Sequence, residues 1–193
     1  TALDGVDFSL LPGEVHCLAG ENGSGKSTLI KIITGVYTPE QGAVMEYFGK
    51  TEASVTPHAA RSHGIEVIWQ DLALFPEMTV AENIAFDTLL GNRPRLVSYK
   101  AMREKALAAL AKLGVDLDLE ARLSTLPIAQ RQVVAIARAL VSDARLIFMD
   151  EPTASLTQAE TDHLLAVVRT LSAAGVAVVF VSHRLAEVLE ISS

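Results

Sequence analysis

One cysteine, Cys17, among 193 residues excludes an internal disulfide, and no nearby cysteine or histidine has zinc-site spacing. That usage fits a reducing compartment, the cytosol. Basic residues are also in deficit, 16 Lys and Arg against 23 Asp and Glu for a net charge of -7. No basic cluster stands out, which argues against a broad nucleic-acid surface. Long hydrophobic runs are missing as well. The most apolar stretch, residues 164–181, is interrupted by Arg169, Thr170, Ser172 and Gly175 and divides into an amphipathic segment and a short strand. The opening TALDGVDFSL alternates polar and apolar residues like a half-buried strand and does not have the basic-then-apolar order of a signal peptide. Neither end carries a boundary signal, so the chain is expected to be truncated from a larger domain on both sides. It shows no internal repeat or low-complexity tract.

Half the residues are hydrophobic and a fifth charged, enough for a sizeable core in one domain with room for a subdomain. Strand and helix patterns alternate along the first third. EVHCLAG is a short strand, ENGSG a turn, KSTLIKIITG a helix closed by Gly35, GAVMEYFG a strand, residues 57–62 a short helix, and IEVIWQ a strand ending on Gln70. Residues 79–113 are helical, led by a Thr cap and broken at GNRPRL. Alternation then resumes: a helix over 127–141, the strand RLIFMD, a helix over 157–171, the strand VAVVFVS and a helix start at Arg184. This pattern predicts an α/β fold with a parallel-sheet core and a helical insertion.

Residues 20–27, GENGSGKS, satisfy G-x-x-x-x-G-K-[ST] between a predicted strand and a predicted helix. The glycines let backbone N–H groups curl around phosphate oxygens, and the helix directs its positive end at them. Lys26 adds a cation near the terminal phosphates, and Ser27 offers a hydroxyl to Mg²⁺. An incidental glycine-rich turn is the alternative, and the full set of fixed positions disfavours it. RLIFMDEP delivers Asp150 and Glu151 to the carboxyl end of a strand, where open α/β sheets bind ligands. Asp150 is placed to hold Mg²⁺ and Glu151 to polarise an attacking water, although acidic residues after a strand also commonly cap the next helix. VFVSHR ends on Ser182 and His183; this imidazole can donate to a γ-phosphate or serve only as a structural side chain. Gln70, at another strand end, can touch Mg²⁺ or the water, or be an ordinary loop glutamine.

As a set these residues resemble the ATP-binding domain of ABC transporters, over essentially the whole chain. GENGSGKST looks like Walker A, Gln70 like the Q-loop, LIFMDE like Walker B, ASLT at 154–157 like the D-loop and His183 like the switch histidine. WQDLALFPEMTVAENI, EPTASLT and SHRLAEV look most like the ATPases of bacterial monosaccharide importers, which commonly carry two such domains in tandem. The resemblance implies a P-loop NTPase core of residues 1–70 and 131–193 with a helical subdomain at 71–130. It also implies an ATPase that powers uptake of a small solute, with ATP and Mg²⁺ as ligands. ATP would be bound by Gly20, Glu21, Asn22, Gly23, Ser24, Gly25, Lys26, Ser27 and Thr28, Mg²⁺ by Ser27, Gln70 and Asp150, and hydrolysis carried by Glu151, His183 and Gln70.

The implied partners are a second ATP-binding domain, in tandem or as a homodimer, membrane-spanning permease subunits, and indirectly a periplasmic solute-binding protein. The implied place is the cytoplasmic face of the bacterial inner membrane. No nucleic acid is expected. A soluble ABC-type ATPase without a membrane partner is one alternative, and would call for a basic surface or coiled-coil arms; a regulatory nucleotide-binding domain is another. The adenine-stacking aromatic of the family has no match here, its expected position lying before Thr1. The family signature Leu-Ser-Gly-Gly-Gln falls, in the register set by RQVVAIARAL, on Leu126-Pro127-Ile128-Ala129-Gln130. A register starting at Leu123-Ser124 keeps the serine but puts Pro127 where Gln belongs. In the preferred register Pro127 stands in the first helical turn, has no hydroxyl or N–H to offer a phosphate, and leaves the segment with fewer donors than the signature.

Overall fold

Strands β1 (Val15–Ala19), β4 (Ile65–Ile68), β5 (Leu146–Asp150) and β6 (Ala177–Ser182) form a parallel sheet in the order β1-β6-β5-β4. The computed structural model describes residues 3–21, 23–89 and 98–182, with 88 and 89 described by their backbone alone. All of β6 is buried, and β5 is apolar up to its terminal aspartate, as expected of parallel strands covered on both faces. The pleat divides their side chains between two cores. Phe148, Val179 and Val181 pack with Ile30 of α1 (Lys26–Ile33) and Ala60 of α2 (Pro57–Ser62). Ile147, Met149, Val178 and Phe180 pack on the other side with α5 (Ile128–Val141) and α6 (Gln158–Ala173). Burial of each large side chain contributes about 1.5–3 kcal/mol.

That second core continues without a break into α3 (Val80–Leu89) and α4 (Tyr99–Leu113), through Val80, Ile84, Leu110 and Leu113. Both helices have legible starts. At α3 the Thr79 hydroxyl accepts from the Glu82 N–H at 3.2 Å while the Glu82 carboxylate accepts from the Thr79 N–H at 2.8 Å, a reciprocal cap. Ser98 caps α4, and Gly114 closes it at φ 67°. Thr157 and Glu160 repeat the reciprocal cap at α6.

Three expectations change. Of the expected strand TALDGVDFSL, the described residues 3–10 form none; Phe8 and Leu10 are half-buried against the α1-side core as the alternation implied, but no ladder partner pairs with them among the described residues. The expected strand at GAVMEYFG is only β2 (Met45–Tyr47), and it turns back as an antiparallel hairpin onto β3 (Lys50–Glu52), which the polar KTE did not reveal. Its two turn residues, Phe48 and Gly49, both have positive φ, the backbone of a tight hairpin that matches strand twist. Finally, Pro127 lies outside the first helical turn. With ψ 155° it is the N-cap of α5, and its carbonyl accepts the helix bond from Arg131 N–H at 3.1 Å. The helix start expected at Arg184 falls outside the described residues. No described helix is long and apolar enough to cross a membrane.

Candidate nucleotide-binding site

The sheet register brings the candidate residues to one edge. Ala19 pairs with Ser182, Asp150 with Val181 and Ile68 with Met149, so the carboxyl ends of all four strands are flush. With about 4.8 Å between neighbouring strands, the loops leaving β1, β5 and β4 span roughly 15 Å of a single rim. Such rims are where open α/β sheets take ligands.

On β1 the chain leaves Ala19 into the Gly20–Gly25 loop and enters α1 at Lys26. Gly23 and Gly25 hold φ 87° and 94°, backbone that other L-residues rarely adopt, and a Cβ on Gly23 would meet nothing within 4 Å. The loop is therefore open on its outer side. The first intrahelical bond of α1 runs from Leu29 N–H to Gly25 O at 2.9 Å, so the N–H groups of Lys26, Ser27 and Thr28 have no partner within the helix. The Lys26 ammonium folds over the loop, donating to Gly20 O at 2.6 Å, Glu21 O at 2.8 Å and Ser24 Oγ at 3.3 Å. Open amides, a helix amino end and an ammonium within a few ångströms are the groups that favour a bound phosphate. Ser27 is exposed and Thr28 half-buried beside it. Asn22 lies outside the described residues.

Asp150 ends β5, half-buried. Burial, first, and the neighbouring Glu151 carboxylate, second, push its carboxyl above the ordinary aspartate value, while Lys26 and Lys31 pull it down. The pull from Lys26 puts Asp150 within electrostatic reach of the loop. A hard divalent cation would relieve that burden. Among the described residues no three His, Cys, Asp or Glu side chains gather to hold a metal. The donor set therefore fits Mg²⁺ held by one carboxylate and a hydroxyl together with phosphate oxygens, the usual habit of that ion. Glu151 adopts φ 47° and anchors by its N–H to Val181 O at 2.9 Å, which turns the chain off the strand at the carboxyl edge. A left-handed glutamate is costly, and such strain concentrates at functional sites. Gln70 follows β4 by two residues and is exposed. His183 lies outside the described residues.

Helix α5 meets the rim's loops through Gln132 and Arg138, and its amino end follows the Leu126–Pro127 segment. Leu126 is buried, Pro127 and Gln130 are exposed, and Ile128 and Ala129 are half-buried. No side chain caps the helix at Pro127. Arg131 folds back to bond Leu126 O at 2.8 Å and Ser124 O at 3.0 Å, tying down the chain before the helix.

Sequence reasoning missed three polar side chains that hold the rim's loops. Gln132, 6% exposed, donates from Nε2 to Pro152 O at 2.6 Å and so braces the turn after Glu151. Asn83, wholly buried, accepts from Phe75 N–H at 2.8 Å and donates to Phe75 O and Thr79 O, both at 3.0 Å. Arg138 bonds the loop after Gln70. The available signal was a polar residue on an otherwise apolar helix face, as in AENIAF and RQVVAIARAL.

A phosphate loop after β1, an acidic pair at the end of β5 two strands away, and the added helical layer of α3 and α4 define a P-loop NTPase of the ATP-binding cassette type. The family model described as ABC transporter matches residues 3–154, and the chain belongs to that family. It is 47% identical to a ribose import ATP-binding protein of Rubrobacter xylanophilus, over 100% of this chain and 37% of the relative. The chain thus spans little more than a third of the length of that relative. Among solved structures, it matches the ADP conformation of an ATP-binding cassette of an ABC transporter at 33% identity and TM-score 0.84, over 98% of this chain and 78% of the other. A dimeric bacterial ABC transporter cassette matches at 25% identity and TM-score 0.77, over 97% and 82%.

Proposed function

We propose that this chain binds Mg-ATP at the β1–α1 loop and hydrolyses it, powering uptake of a monosaccharide through membrane-spanning partners. The observation that carries the reading is the Gly20–Ser27 loop with Lys26 folded into it, beside Asp150 and Glu151 at the same sheet edge. The name of the Rubrobacter xylanophilus relative supports ribose or a similar sugar as cargo.

In this reading the N–H groups of residues 23–28 and the Lys26 ammonium bind the β- and γ-phosphates and neutralise charge that builds on them. Ser27 and Asp150 would hold Mg²⁺, with Gln70 beside it; the ion would supply charge neutralisation across the phosphates. Glu151 orients the attacking water and accepts its proton, and His183 donates to the γ-phosphate. Residues 71–130 form the insertion that meets the membrane partner at the cytoplasmic face. The dimeric cassette relative supports pairing with a second ATP-binding domain, so that the Leu126–Gln130 segment faces the partner's nucleotide. Lacking the serine and both glycines of the family signature, this segment makes the two composite sites unequal.

The test is Mg-ATP turnover and sugar uptake by the full-length polypeptide with its membrane partner. Lys26→Ala and Glu151→Gln should each lower turnover about a hundredfold or more. Wild-type turnover in the Glu151→Gln variant would remove Glu151 as the base, and turnover unresponsive to either change would remove the reading.

A further inference from the structure

The chain between Gln70 and α3 takes an unusual path. Leu72 and Ala73 are consecutive residues with positive φ, 29° and 44°, and neither is a glycine. Leu72 closes a turn by donating its N–H to Trp69 O at 2.9 Å, and Ala73 N–H reaches Asp71 Oδ1 at 3.1 Å. A free loop relaxes out of two left-handed side-chain-bearing residues, so something must over-determine this conformation. That something is Arg138, from the middle of α5. Its Nη1 donates to Ala73 O at 2.7 Å and its Nη2 to Leu72 O at 3.1 Å, a planar fork on two consecutive carbonyls.

Around the fork lies a groove of about 360 Å³ between the sheet core and α3. Arg61 of α2 donates to Glu66 of β4 at 2.8 Å and also to Asp87 of α3, and Ser142 Oγ donates to Asp87 at 3.4 Å. Two guanidiniums and two carboxylates thus share the groove. Burial lowers the basicity of Arg138, while Asp87 and Glu66 sustain its charge and Arg61 opposes it. Among the described residues no carboxylate forms an ion pair with Arg138, so its hydrogen bonds are directed to the loop backbone.

We propose that Arg138 is a positioning residue: its guanidinium fork holds the Leu72–Ala73 turn in its left-handed path and so sets where Gln70 stands relative to the nucleotide. The proposal rests on the role given to Gln70 above. Lysine keeps the charge, but its donors radiate from one nitrogen and lack the planar two-nitrogen fork; glutamine offers one nitrogen and no charge.

The chain carries its own reporter, because Trp69, the single tryptophan of these 193 residues, adjoins Gln70 and lines the groove. In the full-length polypeptide assembled with its membrane partner, the Trp69 signal is isolated by subtracting the emission of a Trp69→Phe variant. Arg138→Lys is expected to shift that emission, to lower kcat for Mg-ATP about tenfold, and to leave KM within about twofold. Arg138→Gln, which loses the charge as well as the fork, should lower kcat at least as much. In a Gln70→Ala background, Arg138→Lys should cost less than about a further twofold in kcat, because both changes remove the same contribution.

Unchanged Trp69 emission in Arg138→Lys overturns the proposal, whether or not the assembly turns over ATP. Multiplying losses in the double variant, or loss of cooperative unfolding in both Arg138 variants, also overturns it. A wild-type assembly without turnover but with the Trp69 shift in Arg138→Lys overturns the hydrolytic reading and supports the clamp.

Discussion

Replacing Pro127 by serine separates the structural role of the α5 start from the role proposed for it toward a partner's nucleotide. Pro127 is the N-cap at φ -57° and ψ 155°, a conformation that serine adopts without strain, and no side chain caps the helix now. A serine hydroxyl there can accept from the N–H of Ala129 or Gln130, which lack intrahelical acceptors; such a cap contributes about 1 kcal/mol. Against this, losing proline frees the unfolded chain and costs about 0.4–1 kcal/mol. The two nearly cancel. Stability should stay within about 0.5 kcal/mol, less than about 2 °C in Tm for a domain of this size. Function should not cancel, because position 127 is exposed and a hydroxyl that accepts from the helix still has its proton to donate. One charge-assisted hydrogen bond to a phosphate is worth about 1.5–3 kcal/mol, or roughly ten- to a hundredfold in closure or turnover at the site that this segment completes. The assay is calorimetry plus Mg-ATP turnover of the full assembly, with the chain's own Walker A disabled by Lys26→Ala to isolate the other site. A Tm rise of several degrees, or unchanged turnover at that site with Tm held, would refute the reasoning.

Three further expectations follow from particular contacts. Asn83→Ala strips the buried partner of Phe75 N–H and of two carbonyls; it should cost about 2–3 kcal/mol, seen as a lower denaturation midpoint at unchanged m-value. Asp150→Asn removes a carboxylate whose burial disfavours its charge; it should raise Tm without nucleotide while lowering Mg-ATP turnover at least about a hundredfold, and a fall in both would contradict this. Tyr47, whose hydroxyl donates to Ile33 O at 3.0 Å, has its pKa pushed up to about 12 by burial first and Glu52 second. The stability it contributes is present below the ordinary tyrosine value and lost as pH rises through about 12. Thermal unfolding followed from pH 9 to 12 should therefore decline less steeply in Tyr47→Phe than in wild type.

The phosphate loop was legible because its chemistry is local. Glycines, lysine and serine sit within eight consecutive residues, and a strand before and a helix after are enough to aim their backbone. β5 and β6 were legible for a related reason, since a parallel strand covered on both faces reads as an apolar run. The hairpin partner β3 was not, because KTE has no apolar side chain to bury and is held by register with β2. The amino-terminal alternation of TALDGVDFSL marked Phe8 and Leu10 as turning inward, but a strand needs a neighbour, which alternation does not supply.

What the sequence determined by itself was the set of groups available: the ammonium of Lys26, the carboxylates of Asp150 and Glu151, and a proline where the resemblance sets the serine of the family signature. Tertiary structure alone decided which of them meet. The strand order β1-β6-β5-β4 brings residues more than a hundred positions apart to one rim, because ladder register is a long-range property of the folded sheet. It alone also revealed Arg138. Within α5 that arginine is one polar residue in RQVVAIARAL; only packing of α5 against the loop after Gln70 shows that its fork grips two strained carbonyls 65 and 66 residues away.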